Sequence, residues 1–253
     1  MNELDLRPRS STEIVDAAFQ LFRRNPTQLI LAAALVYVPW LVIRLVFDLG
    51  INDPLIGATK ALALFAGLIV VYAVVGGVTS VMAADVYLGR TPDLSAAFRL
   101  TGSRFVTLAL AGIIRFVLIT VGMVFLVIPG LYALGRFFAM TQTVMLENKG
   151  LGGALSRSST LSVGIKRHIV NTILLIALVT IAISIGFGLL SQVFQSKVIT
   201  NVVSTAVSVV LYPLLGLTET LLYYDARIRK EGFDVEYLAR GDASSAAPES
   251  AAI

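Results

Sequence analysis

The sequence predicts an all-α integral membrane protein of about six transmembrane helices, arranged as three hairpins, each preceded by a short cytoplasmic amphipathic helix, with both termini cytoplasmic. Three observations lead there. Of the 253 residues, 57% are hydrophobic and only 14% charged, where a soluble domain carries about a quarter charged residues. Six stretches are long and apolar enough to approach the ~20 residues needed to cross the hydrocarbon. The basic residues fall almost entirely on one side of those stretches.

The six stretches cover residues 26–47, 61–84, 105–128, 130–146, 169–191 and 202–224. The fourth is the shortest and carries Arg136. Only Pro129-Gly130 separates it from the third, a breaker pair that suits a tight hairpin. Orientation follows from Lys and Arg beside the stretches. Arg7, Arg9, Arg23 and Arg24 precede the first, and Arg90, Arg99 and Arg104 precede the third. Lys149, Arg157, Lys166 and Arg167 precede the fifth, and Arg227, Arg229, Lys230 and Arg240 follow the last. The opposite side receives Lys60 and Lys197, while Arg44, Arg115 and Arg136 lie inside stretches. Positive residues mark the cytoplasmic side, which predicts a multi-pass membrane protein with both ends in the cytoplasm. The first ten residues lack the apolar core of a signal peptide, so no cleavage is expected.

Before the first stretch, Ser10 and Glu13 have capping-box spacing. Ile14, Ala17, Ala18, Leu21 and Phe22 then form an apolar stripe opposite Glu13, Asp16, Gln20, Arg23 and Arg24. Such a helix is expected to lie on the inner leaflet with its stripe in the acyl boundary. The pattern returns as Ala96-Ala97-Phe98-Arg99-Leu100 before the third stretch, and more weakly as Ala154-Leu155-Ser156-Arg157 before the fifth. Three units of surface helix plus hairpin are the simplest reading. The chain divides into a cytoplasmic segment 1–25, a transmembrane domain 26–232 and a cytoplasmic tail 233–253. From about residue 241 the tail is small and polar, the composition of a disordered segment. Ala73/Gly77, Gly76/Ser80/Ala84, Ala182/Gly186 and Ser184/Gly188 have the four-residue spacing of close helix packing, within the chain or between copies.

Charges at membrane depth face a protein interior or a wet cavity, which makes Arg115, Arg136, Gln142 and Glu219 a candidate intramembrane polar site. Arg115 is placed near the middle of the third stretch, and Pro213 is expected to kink the sixth helix near Glu219. Arg23, Arg24, Arg99, Arg104, Lys166 and Arg167 are candidate contacts for anionic lipid headgroups. A structural ion pair is the competing reading of the buried charges.

Catalytic signatures are sparse. The chain has no cysteine and one histidine, His168, beside Lys166-Arg167 at a membrane boundary. No P-loop, HExxH pair, G-x-G-x-x-G or G-x-S-x-G occurs. Tyr224-Asp225 lacks the G-x-G-D companion of an intramembrane aspartyl protease. Neither cofactor, metal nor nucleic acid is expected.

Four pieces of sequence carry a family resemblance. They are Pro8-x-Ser10-x-x-x-Ile14-x-Asp16-Ala17 with Leu21 and Asn25, and Val127-Ile128-Pro129-Gly130-Leu131-Tyr132 with Arg136. The third is Val144-Met145-Leu146-Glu147 leading to Ala154-Leu155-x-Arg157-Ser158 and Leu161-x-x-Gly164. The last is Leu222-Tyr223-Tyr224-Asp225-x-Arg227-x-Arg229-Lys230-Glu231-Gly232. In order and spacing they resemble the membrane domain of bacterial glycerophosphoryl diester phosphodiesterases. Some members of that family carry a soluble hydrolase barrel, but His168 is followed by Ile169 rather than Arg-Gly, so the resemblance implies the membrane module alone. It also implies that Pro129-Gly130 turns the chain at the outer face, with Arg136 entering the bundle beneath.

The function expected is a non-catalytic inner-membrane scaffold or accessory subunit, contacting anionic lipid and a protein partner or a second copy. The alternative is a small transporter or lipid-handling protein with its polar site near Arg115. A hydrated cavity reaching Arg115 separates the alternative from a dry, packed scaffold.

Overall fold

The computed structural model describes residues 7–48 and 54–235; the tail expected to be disordered lies outside them. Every regular element among the described residues is helical: α1 (Ser11–Arg24), α2 (Pro26–Asp48), α3 (Pro54–Tyr87), α4 (Leu94–Ser103), α5 (Phe105–Phe125), α6 (Val127–Arg136), α7 (Met140–Leu146), α8 (Leu151–Leu161), α9 (Lys166–Gln192) and α10 (Lys197–Glu231). Five of these, α2, α3, α5, α9 and α10, are long and apolar enough to cross a membrane. The protein is therefore a multi-pass membrane protein on length and hydropathy.

The expected fourth span is not one helix. Residues 130–146 divide between α6 and α7, of ten and seven residues. At 1.5 Å per residue these reach only about 15 and about 10 Å, each well short of the ~30 Å hydrocarbon. The break at Phe137–Ala139 is stabilised from outside. The Ser158 hydroxyl on α8 donates to the Arg136 carbonyl at 3.0 Å and accepts the Ala139 N–H at 3.1 Å. One buried side chain thus satisfies two backbone groups that the helix leaves open. The chain reverses between α5 and α6 at Leu126, whose backbone is extended. Pro129 sits in the first turn of α6, where its missing N–H costs nothing.

The capping box at α1 forms as the spacing predicts. Ser10 N–H donates to Glu13 Oε2 at 2.7 Å, and Glu13 N–H donates to Ser10 Oγ at 3.3 Å. The Ser10 backbone N–H, followed by the Arg7 guanidinium at 2.8 Å, holds the Glu13 carboxyl down to about 2. The apolar stripe of α1 lies elsewhere than expected. Ile14, Val15 and Ala18 are buried in the main core with Ile169, Leu217, Leu221 and Tyr224, so they face α9 and α10 rather than lipid. The spacing of apolar residues says which face of a helix needs cover; lipid and protein satisfy that need equally well.

α10 is the axis of the bundle and packs against α1, α2, α3 and α9. Close approach to α3 uses Gly216, where a Cβ would stand 2.8 Å from Thr79 Cβ. On α3, Gly77 leaves room for Leu108 and Thr101, so that small-residue pair serves packing within the chain. The helix order is a short helix followed by a hairpin, three times over, with the middle hairpin completed by α6 and α7. Each short helix finds its main seat outside its own unit. α1 packs on α9 and α10, α4 on α3, and α8 on α7 and α5. The first unit thus leans on the third, the second on the first, and the third on the second.

Candidate functional site

The four residues of the candidate intramembrane site do not converge. Arg115 on α5 and Glu219 on α10 form an ion pair at 2.8 Å, with side chains 17% and 27% exposed. Arg136 ends α6 on its exposed side, and its Nε donates to Ser159 Oγ at 2.8 Å. It therefore joins α6 to α8 rather than entering the bundle. Gln142 on α7 is fully buried, and neither its amide nitrogen nor its amide oxygen has a hydrogen-bond partner in the structure. The pair also sits lower than the middle of a span. Glu219 is six residues from Asp225, about 9 Å along the helix, and Asp225 belongs to the polar cluster at the helix ends.

Charge is concentrated in two clusters on the side of α1, α4 and α8. In the first, Asp225 is 3% exposed and accepts three donors: His168 Nε2 at 3.0 Å, Arg229 Nε at 2.8 Å and the Arg9 N–H at 2.7 Å. Arg229 also donates to the Arg9 carbonyl at 2.7 Å. Ser11 Oγ lies 3.3 Å from His168 Nδ1 and accepts from Thr172 Oγ1 at 2.9 Å. Both ring nitrogens of the histidine are thus engaged, and Arg9 and Ser11 are bound to α9 and α10. Buried charge is stable only when paired and hydrogen-bonded in this way.

In the second cluster, the Arg157 Nε on α8 reaches both oxygens of Glu147 at 2.8 and 2.9 Å, and its terminal nitrogens grip both oxygens of Glu231. Tyr223 Oη donates to Glu147 at 2.8 Å and Arg227 Nε to Glu231 at 3.0 Å. The hydrogen bonds to Glu231, with Glu147 beside them, push the Arg157 guanidinium above its ordinary value. Arg104 donates to the Val144 and Met145 carbonyls at the end of α7. This knot joins α5, α7, α8 and α10 at one level.

The six expected lipid contacts divide as well. Arg23, Arg24, Arg99 and Arg167 are exposed. Arg104 is taken up by the α7 carbonyls. Lys166 lies 4.3 Å over the Tyr132 ring and donates to its hydroxyl at 3.1 Å.

A crevice of about 300 Å³ opens between α9 and α10 toward their far ends. Thr180, Ser184, Ser191, Thr200, Ser204 and Ser208 line it, and each of these hydroxyls donates to a carbonyl of its own helix or its cap. Neither Arg115 nor Glu219 lines this crevice. Among the described residues, no group of three or more His, Asp or Glu side chains is placed to hold a metal ion.

Sequence reasoning passed over both ionic clusters and Ser158. Asp225/Arg229 and Arg227/Glu231 are i, i+4 pairs legible on a helix. The links from Arg157 to Glu147 and Glu231 span 10 and 74 residues and carry no periodic signal. In comparison with known proteins, no family model, curated protein or solved structure matches the chain.

Proposed function

We propose that the protein is a non-catalytic scaffold or accessory subunit of a bacterial cytoplasmic membrane, with α1, α4, α8 and both termini on the cytoplasmic side. The observation that carries the reading is where the polar side chains go. The buried acid Asp225 holds α1, α9 and α10 together, and Glu147, Arg157 and Glu231 hold α5, α7, α8 and α10 together. Two of the four pieces that resemble the glycerophosphodiesterase membrane module, the third and the last, supply Glu147, Arg157, Asp225, Arg229 and Glu231 to these two clusters, which suits a module of rigid shape. At membrane depth, Arg115 is closed on Glu219. The exposed Arg23, Arg24, Arg99 and Arg167 ring the same end and suit anionic headgroups, each worth about 1 kcal/mol near a charged leaflet. What the rigid end presents to the cytoplasm is a surface for a protein partner.

The test is purification in mild detergent or nanodiscs, with mass spectrometry of all that co-elutes. A protein partner in stoichiometric amount is the expected result. A chain that elutes alone, keeping one lipid or solute that Arg115→Leu releases, overturns the scaffold in favour of a small transporter or lipid-handling protein.

A further inference from the structure

We propose that α5 and α6 form a half-membrane hairpin: it enters and leaves on the side of α1, α4 and α8, and its tip lies among lipid acyl chains without reaching the far surface. Unlike the scaffold reading, this placement does not depend on which side is cytoplasmic.

Its first support is the tip itself. Residues 125–130 read Phe-Leu-Val-Ile-Pro-Gly, with no polar side chain to meet water or headgroups. Phe125, Leu126, Val127 and Ile128 are 62–79% exposed, so no other helix among the described residues covers them. Trp and Tyr are enriched where chains meet the membrane surface, and this turn carries neither.

Its second support is height, read from two neighbours at 1.5 Å per residue. On one side, Arg115 of α5 meets Glu219 of α10. Phe125 is ten residues further along α5, level with about residue 209 of α10. The far polar rim begins at Asn201, which accepts from Arg44 Nη2 at 2.7 Å. That leaves the tip about 12 Å short. On the other side, Gly135 of α6 lies against Lys166 and Val170 of α9. Ile128 is seven residues back from Gly135, level with about residue 175, while α9 continues to Gln192 at the rim of a second cavity with Gln195 and Lys197. That count leaves the tip about 25 Å short. The two counts differ in size, and both leave the tip short of the far ends of α9 and α10.

Its third support is the way the hairpin is held shut. A Cβ on Gly122 would lie 2.8 Å from the Gly130 backbone, so the two arms touch close to the turn. With backbones this close, the tip stays narrow, and two backbone hydrogen bonds brace the turn: the Leu126 N–H donates to the Gly122 carbonyl at 3.1 Å and the Gly130 N–H to the Leu126 carbonyl at 3.5 Å. Above the tip the bilayer is left to lipid alone, on a face where α9 is exposed and apolar.

The chain lacks cysteine, so single cysteines report position without background. Ile128→Cys and Val124→Cys mark the tip, Val193→Cys the far loop and Ser156→Cys the surface helix α8. A membrane-impermeant maleimide is added to intact cells and to inside-out vesicles. The expected result is that Val193→Cys and Ser156→Cys label from opposite faces and the two tip positions from neither. A permeant fluorophore on the tip, in phosphatidylcholine vesicles, is then quenched more by spin labels near the acyl chain ends than by labels at the headgroup. Labelling of either tip position by the impermeant reagent, or stronger quenching from the headgroup, overturns the proposal.

Discussion

Asp225, near the end of α10, accepts the backbone N–H of Arg9 at 2.7 Å across 216 residues of chain. The carboxylate also holds His168 and Arg229, so three separate stretches meet on one buried acid. Replacing it by alanine removes three partners at once and leaves two cationic or polar side chains facing apolar walls. Asp225→Ala should cost about 3 kcal/mol, and α1 should be the first element released. Hydrogen exchange resolved to residues 11–24 checks this; unchanged protection there would show that the apolar stripe alone holds α1.

Ser158 is the side chain that makes the break between α6 and α7 possible. Ser158→Ala leaves the buried Ala139 N–H and the half-buried Arg136 carbonyl without their partner, at about 1–3 kcal/mol. Thermal unfolding in detergent should show the loss. Ser159→Ala, which removes only the exposed partner of Arg136, should shift stability by no more than about 0.5 kcal/mol.

Two glycines of α5 make opposite predictions. A Cβ at Gly122 meets the backbone of Gly130, which cannot yield, whereas a Cβ at Gly112 meets nothing within 4 Å. Gly122→Ala should destabilise by about 1–3 kcal/mol. Gly112→Ala should be neutral or stabilise by up to about 1 kcal/mol. Equal melting temperatures for the two variants would contradict the close contact of the arms.

The Arg115–Glu219 pair predicts a non-additive double mutant. Arg115→Leu leaves a carboxylate in apolar surroundings and should cost about 3 kcal/mol or more. Replacing both residues by leucine should recover most of that loss, since neither charge is then orphaned. Unfolding of the two single variants and the double variant closes the cycle; a double variant worse than either single one would sink the structural-pair account.

Much of this architecture is written locally in the chain. The capping box at Ser10 and Glu13, the long apolar helices and the short helix before each hairpin all depend on neighbours within a few turns. What escaped depends on distance. The 130–146 stretch passes for a span because hydropathy averages over the break that Ser158 stabilises from another helix. The stripe of α1 reads the same whether lipid or α10 covers it. Arg136 and Gln142 sit near Arg115 in hydropathy terms, yet the turn at Leu126 and the break after Arg136 send them to different places.

The cyclic seating of the short helices also sets an order in time. The main seats of α4 and α8 lie on α3, α5 and α7, all of which leave the ribosome before or soon after them. α1 is the exception, because its seat is built from α9 and α10, which are made after every other helix described. Ile14, Val15 and Ala18 therefore lack their protein seat until α9 and α10 have been made. Docking of α1 thus waits for α10, and a chain stalled or cut before residue 231 would lack the seat for that stripe.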